Sequence, residues 1–219
     1  MSEPNAKSAV PANRMVHDTL VITVITLVAG LILSLVHGIT LEPIRVQEAK
    51  AKEAACRAVF ADADAFSPVL EAADPDLEAW LDGAGFPKQN VDEAMRAEDA
   101  AGAPLGWVLT VTTKEGYGGD IQFAMGVRED GTLNGISILS ISETAGLGMR
   151  ANTDAFKGQF AGRSVSAFRY TKNGAQAEDE IDALSGATVT TNAMTNGVNA
   201  GLAAFRWLRE NDLTGGEDA

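Results

Sequence analysis

The run Ser185-Gly186-Ala187-Thr188 presents a threonine hydroxyl behind two residues with almost no side-chain bulk. Because Gly186 and Ala187 give little steric cover, a loop at this point is able to enter the active site of another enzyme. Thr188 also stands just before a predicted helix, where unpaired backbone N–H groups favour a phosphate group. The alternative interpretation of the same residues is an ordinary loop followed by a capped helix.

The helix is predicted from apolar residues spaced by three or four, which is typical of an amphipathic helix with one buried face. Thr190 or Thr191 is the expected N-cap, since a threonine hydroxyl accepts hydrogen bonds from the first turn. The apolar positions are Met194, Val198, Leu202, Phe205 and Leu208.

A second stretch has residues suited to binding a ligand. It is Glu143-Thr144-Ala145-Gly146-Leu147-Gly148-Met149, which directly follows a predicted strand. Its two glycines permit close approach of the backbone to a planar ligand. Leu147 and Met149 are suited to pack against such a ligand, and Met is the more adaptable of the two. The alternative is an ordinary glycine-rich turn.

Four segments in chain order resemble the FMN-binding domains of the Rnf and Nqr respiratory complexes. They are Glu42-Pro43-Ile44, Gly116-Tyr117-Gly118-Gly119, the Glu143–Gly148 loop and Asp182-Ala183-Leu184-Ser185-Gly186-Ala187-Thr188. The loop departs from the family pattern at Ala145, where proline is common. The compact length is more similar to the G subunit of the Rnf complex than to the C subunit of the sodium-pumping NADH:quinone reductase.

The resemblance implies that a flavin transferase attaches FMN to Thr188 through a phosphoester. It implies a role for Asp182 in recognition by the transferase, with a turn or helix-cap carboxylate as the alternative. No catalytic residue and no metal ligand is expected in this chain. The residues expected to contact the cofactor are Glu143, Thr144, Gly146, Leu147, Gly148, Met149, Ser185, Gly186, Ala187 and Thr190.

The function implied by the resemblance is that of a membrane-anchored electron carrier. It would hold one covalent FMN within a complex that passes electrons between ferredoxin and NAD and moves sodium ions or protons. Other membrane and peripheral subunits would be its partners. The alternatives are a carrier similar to the C subunit of the sodium-translocating reductase, or a non-redox module that binds or scaffolds membrane partners.

Composition excludes several other classes of protein. The 219 residues carry a net charge of −13, which argues against binding to nucleic acid or to anionic lipid. Cys56 is the single cysteine, so an internal disulfide is excluded. With two histidines and no Cys-x-x-Cys, iron–sulfur, zinc and haem sites within the chain are not expected.

A membrane span is predicted from Thr19 to Leu41, a stretch without Asp, Glu, Lys or Arg. As a helix it would extend about 34 Å, enough for a hydrocarbon core of roughly 30 Å. A signal peptide is the competing interpretation, but the apolar stretch is too long and no small-x-small cleavage site follows it.

Two observations place the long domain on opposite sides of the membrane. Basic residues are more numerous after the span than before it, which by the positive-inside rule places the long domain in the cytoplasm. The family resemblance implies the opposite, a flavin domain on the extracytoplasmic face of the cytoplasmic membrane. We follow the resemblance, because the charge rule is weak for long translocated domains.

The expected organisation is a tail at 1–18, the span at 19–41, a stalk helix at 42–60 and an α+β FMN-binding domain at 61–219. Period-two alternation predicts an antiparallel meander of three strands, at 107–112, 121–127 and 133–142. A short helix is predicted after Pro75, another at 154–160 and a further strand at 165–170. Residues 92–99 are predicted to form a short helix or an irregular excursion.

Overall fold

A 48-residue helix, α1, opens the structure and spans Ala12–Val59. The computed structural model describes residues 12–211, so the first eleven residues of the predicted tail lie outside the described part. The chain forms two compact units that divide between Ala49 and Lys50. Helix α1 contributes to both units, since it ends ten residues after that boundary.

Within residues 12–211, α1 is the one helix long and apolar enough to cross a membrane. Its large apolar side chains between Met15 and Val46 are exposed, except that of the half-buried Leu41. Threonine hydroxyls in this part donate to carbonyls one turn earlier, for example Thr19 to Met15 and Thr23 to Thr19, each at 2.8 Å. These hydroxyls are therefore satisfied inside the helix.

Helix α1 differs from the predicted organisation at both ends of the span. Residues 12–18 are helical rather than part of the tail, because no Gly or Pro interrupts them. Pro43 lies inside the helix without ending it. Proline removes one backbone hydrogen bond, but the flanking turns are rich in strong helix formers. The predicted stalk is thus the continuation of the same helix.

A five-stranded antiparallel sheet forms the centre of the second unit, with its strands in sequence order. The predicted α+β class with an antiparallel sheet is confirmed. The three strands expected from alternation are the last three of the five. The strands are β1 Ala65–Leu70, β2 Gln89–Glu98, β3 Pro104–Thr113, β4 Ile121–Arg128 and β5 Leu133–Ser140.

The C-terminal helix, α4 (Thr188–Glu210), covers one face of this sheet. Its five predicted apolar positions are all buried, so the amphipathic pattern is confirmed. A Cβ at Gly197 would lie 2.9 Å from the Phe123 ring, and one at Gly201 would lie 2.0 Å from the Met125 sulfur. These two glycines allow α4 to approach β4 closely and fix its axial position.

The end of α1 covers the opposite face. Ala55, Cys56, Val59 and Phe60 are buried together with residues of β2, β3 and β4. Burial raises the pKa of the Cys56 thiol above its ordinary value, because the charged thiolate is disfavoured away from water. Cys56 therefore packs as a small apolar residue.

The prediction for residues 92–99 is wrong, since residues 92–98 belong to β2. The register shifts between Val91 and Glu93, and this bulge places Val91 and Ala94 on the face beneath α4. Ala97 lies on the other face. Val91, Ala94 and Ala97 are therefore spaced three residues apart, which resembles the periodicity of an amphipathic helix. Strand β1, which contains Pro68, was also not expected.

The remaining elements are short. Helix α2 (Pro75–Gly83) is confirmed, with Asp74 as its N-cap. Helix α3 (Asp154–Lys157) stops before Gly158, rather than at residue 160. Strand β6 (Arg169–Thr171) is shorter than predicted and pairs in parallel with an unpredicted strand, β7 (Glu180–Asp182).

Candidate functional site

The Ser-Gly-Ala-Thr run forms a tight turn between β7 and α4. The Ala187 amide donates to the Leu184 carbonyl at 3.0 Å. Gly186 has φ +78°, a left-handed conformation that glycine adopts without steric cost. The two apolar residues that flank the turn, Leu184 and Ala187, are buried, so the turn is anchored at both ends rather than extended into solvent.

Helix α4 begins at Thr188, with Ala187 as its N-cap. The expected cap at Thr190 or Thr191 is therefore wrong by three to four residues. Thr191 acts from inside the helix: its hydroxyl accepts from the Leu184 amide at 3.0 Å and donates to the Ala187 carbonyl at 2.9 Å. These bonds tie the turn to the first helical turn and allow the helix to start earlier.

Thr188 is exposed at the first helical position. The N–H groups of Thr188, Val189 and Thr190 have no carbonyl one turn earlier within the helix. In a 23-residue helix these groups and the aligned peptide dipoles favour a negative charge at this end. The hydroxyl therefore lies where a phosphate group is electrostatically favoured.

Glu143, just after the end of β5, joins the two glycine-rich segments. Glu143 is 8% exposed, and its Oε1 accepts hydrogen bonds from the amides of Tyr117 at 2.7 Å and Gly118 at 3.3 Å. A Cβ at Gly118 would lie 2.0 Å from the Ser142 carbonyl oxygen. The Gly-Tyr-Gly-Gly turn thus lies directly against the Glu143 loop, and glycine permits that approach.

The Glu143 loop in turn contacts the start of α4. A Cβ at Gly148 would lie 2.5 Å from Glu143 Oε2 and 2.6 Å from Thr190 Oγ1. A Cβ at Gly186 would lie 3.1 Å from Leu147 Cδ2. Three segments that are far apart in sequence therefore meet at one place.

A cavity of about 620 Å³ lies between these segments, within the range of roughly 300–1,000 Å³ found for small-molecule sites. Among the described residues of the second unit, four large apolar side chains are exposed, and three of them line this cavity. They are Tyr117 at 75%, Val189 at 50% and Leu147 at 43% exposed. An apolar surface beside a helix N-terminus suits a planar aromatic ring that carries a phosphate.

The structure brings most of the predicted cofactor residues together. Ser185 lines a smaller neighbouring cavity, whereas Gly146 and Met149 lie on the loop outside both cavity linings. Val189 and Tyr117 complete the larger lining. Val189 carried a sequence signal, since it is an apolar residue off the buried stripe of α4. The predicted residues in the larger lining are Glu143, Thr144, Leu147, Gly148, Gly186, Ala187, Thr188 and Thr190.

Asp182 has a local structural partner. One carboxylate oxygen accepts from the Ala175 amide at 2.7 Å, and its backbone amide donates to Gln159 Oε1 at 2.6 Å. This is the turn-carboxylate role that was the alternative expectation. Recognition of Asp182 by a transferase stays a prediction.

Ion pairs stabilise the two short strands before the turn. Arg169 lies 2.7 Å from carboxylate oxygens of both Asp179 and Glu180. The hydrogen bond from Arg169 holds the pKa of Asp179 below its ordinary value. Amide hydrogen bonds from Gln176 and Ala177, followed by the charge of Arg169, lower the pKa of Glu180.

Comparison with known proteins agrees with this geometry. Residues 116–203 match the FMN-binding domain. The matched range contains all three segments that meet at the cavity.

Over most of its length the chain is similar to the G subunits of ion-translocating oxidoreductases. It is 28% identical, over 86% of this chain and 90% of the relative, to the G subunit of the Na(+)-translocating ferredoxin:NAD(+) oxidoreductase complex of Acetobacterium woodii. It is 29% identical, over 81% of this chain and 84% of the relative, to the G subunit of the proton-translocating complex of Clostridium ljungdahlii. The resemblance indicated by the motifs is thereby confirmed.

A solved structure has the same fold. The crystal structure of NqrC from Shewanella oneidensis superposes with a TM-score of 0.50 at 21% identity, covering 57% of this chain and 61% of that chain.

Proposed function

We propose that this chain is an electron-carrier subunit that holds FMN as a phosphoester on Thr188. The observation that supports this most strongly is the position of Thr188. Its hydroxyl is exposed at the N-terminus of α4 and lines the apolar cavity of an FMN-binding domain. Bound FMN would supply one- and two-electron transfer there.

Different residues around the cavity hold different parts of the cofactor. Leu147, Val189 and Tyr117 offer apolar surface to the isoalloxazine ring, which excludes water from the faces they cover. The first N–H groups of α4 stabilise the negative charge of the phosphoester. Glu143 holds the Gly-Tyr-Gly-Gly turn in place, so that the cavity wall is formed before the ring enters.

The complex that this protein serves is of the Rnf type, passing electrons between ferredoxin and NAD and moving sodium ions or protons. The names of the relatives support this placement. Its partners are other membrane and peripheral subunits, and a flavin transferase during maturation. The transferase attaches the cofactor, and Thr188 is the acceptor rather than a catalytic residue.

Helix α1 anchors the protein in the cytoplasmic membrane as a single span, with the flavin domain on the extracytoplasmic side. The length and exposed apolar surface of α1 support the anchor. Protease added to the outside of spheroplasts should therefore digest the flavin domain. Complete protection, with digestion after lysis, would place the domain in the cytoplasm.

Covalent flavin is tested on the full chain produced together with a flavin transferase. The polypeptide band should remain fluorescent after denaturing electrophoresis, and the intact mass should rise by one FMN phosphoester. A non-redox binding or scaffold module would give a colourless chain of unmodified mass. A carrier of the sodium-translocating NADH:quinone reductase would also be labelled, and co-purification of its partners separates that case.

A further inference from the structure

The Gly-Tyr-Gly-Gly turn has little packing of its own to hold it in place. Three of its four residues are glycines, which leave the backbone free to adopt many conformations. The Tyr117 side chain is 75% exposed. The position of Tyr117 beside the cavity therefore depends on hydrogen bonds to groups outside the turn.

Two carboxylates supply such bonds, one before the turn in the sequence and one after it. Glu143 holds the turn from the loop after β5. Glu115 directly precedes the turn, and its Oε2 accepts from Gln89 Nε2 at 2.8 Å and from Asn196 Nδ2 at 2.7 Å. Gln89 begins β2, and Asn196 lies on α4. The entrance to the turn is thus tied to both elements.

The Glu115 carboxylate is half-buried, and no cation in residues 12–211 pairs with it. Gln89 is 3% exposed, and its other contact, to the Thr113 hydroxyl, is long at 3.5 Å. Loss of the carboxylate would therefore leave a buried amide donor poorly satisfied, which is costly. Glu115 lies outside the linings of both cavities, so its carboxylate acts through the turn rather than on a ligand.

We propose that Glu115 is a positioning residue that holds Tyr117 against the isoalloxazine ring. The inference rests on the proposed function. Because Asn196 is one of the two donors to Glu115, the position of Tyr117 depends on α4, and the same helix begins with Thr188. The wall that faces the ring and the attachment point are thereby fixed to one element.

The first measurement uses the full-length chain without flavin, kept in detergent. Hydrogen exchange at the Tyr117 amide, which donates to Glu143 Oε1, reports how often the turn opens. Glu115→Ala should speed this exchange by about tenfold, the value of one hydrogen bond to a charged group. Glu115→Gln should keep the exchange slow, because its amide oxygen is able to accept from both Gln89 and Asn196.

The second measurement uses the full-length chain labelled with FMN by a transferase. A phenol in contact with an isoalloxazine ring quenches its fluorescence, because the excited ring takes an electron from the phenol and then returns it. Tyr117→Leu should therefore brighten the flavin, and Glu115→Ala should also brighten it. In the Tyr117→Leu chain, Glu115→Ala should add no further change, since both substitutions remove the same contact.

Asn199→Ala is the matched control for damage to α4. Asn199 is a second half-buried asparagine of this helix, and it accepts from the Phe168 amide at 2.7 Å and donates to the Phe168 carbonyl at 2.9 Å. Its loss should leave Tyr117 exchange and flavin emission at the parent values. Asn196→Ala should move both toward the values of Glu115→Ala.

The outcomes distinguish the two proposals. If Tyr117→Leu is no brighter than the labelled parent, or if Glu115→Ala matches the parent in either measurement, the positioning role is overturned and flavin attachment stands. Equal effects of Glu115→Gln and Glu115→Ala would also overturn it, because the acceptor would then not decide the position of the turn. If the parent gains no FMN from a transferase, the proposed function fails and takes the role of Glu115 with it.

Discussion

Thr188 combines exposure with a fixed backbone. It lies on a turn anchored by Leu184 and Ala187 and begins a long helix, so its side chain is replaceable without disturbing packing. The chemical identity of the side chain is what the proposed attachment requires, since a phosphoester needs a hydroxyl.

Thr188→Val should abolish covalent flavin while leaving the fold intact. Valine keeps the volume and branching of threonine, and an exposed substitution of this kind changes stability by no more than ~0.5 kcal/mol. Intact mass after production with a transferase measures the outcome. Thr144→Val, at another exposed threonine of the same cavity, is the control and should still be labelled. A flavin mass on the Thr188→Val chain would place the attachment elsewhere.

Gly148→Ala should destabilise the domain by about 1–3 kcal/mol. The added Cβ meets Glu143 Oε2 and Thr190 Oγ1, and Glu143 cannot move without releasing the Gly-Tyr-Gly-Gly turn. Chemical denaturation of the chain without covalent flavin measures the loss in free energy of unfolding. Gly135→Ala in β5 is a fair comparison, because nothing lies within 4 Å of its Cβ position. Equal stability of the two variants would argue against a crowded junction.

At the scale of elements, the sequence predicted those parts whose signal is local and repeated. Residues 107–112 of β3 alternate in the sequence, β3 and β4 pair without a shift of register, and α4 has an unbroken apolar stripe. The bulge in β2 breaks the alternation, and β6 and β7 have three residues each, too few for a periodic pattern. The two glycine motifs of the site were predicted, whereas their approach to each other, as at Gly148 and Thr190, depends on contacts between segments that are distant in sequence.

The backbone amides of the β6–β7 pair should lose their protection against hydrogen exchange in acid. Asp179 and Glu180 have lowered pKa values in the folded chain. Their contribution to stability is therefore complete above the ordinary values of 3.8 and 4.5 and is lost as the pH falls through the lower folded values. Amide hydrogen exchange at residues 169–183, corrected for intrinsic rates, should show opening below about pH 4 before β3 and β4 open.

Arg169→Gln is the control for that experiment, since it removes the cation that pairs with both carboxylates. The variant should show weaker protection already at neutral pH and a smaller change on acidification. Simultaneous opening of both sheets at one pH would contradict a local role for these ion pairs.

At the scale of the whole molecule, the boundary at Lys50 differs from the predicted start of the domain at residue 61. The last ten residues of α1 belong to the second unit, and Val59 and Phe60 are buried against the sheet. A soluble domain must therefore include them.

A chain beginning at Lys50 should fold, whereas one beginning at Ala61 should aggregate or unfold. Removal of residues 50–60 exposes Val108 and Ala124 and forfeits about 3–6 kcal/mol from the burial of Val59 and Phe60 alone. Size-exclusion chromatography and thermal unfolding compare the two chains. A stable monomer starting at Ala61 would mean that α1 is not part of the core.

If FMN is attached at Thr188 as proposed, the exposure of this residue sets the order of events in biogenesis. The turn beside it and the buried face of α4 are held by contacts within the chain, and Thr191 secures the helix start. Under the proposed attachment, a transferase would meet a folded domain with an accessible hydroxyl at the helix start, rather than an unfolded chain with many. The domain would then accumulate in its colourless form, and the supply of flavin would decide when each copy becomes redox-active.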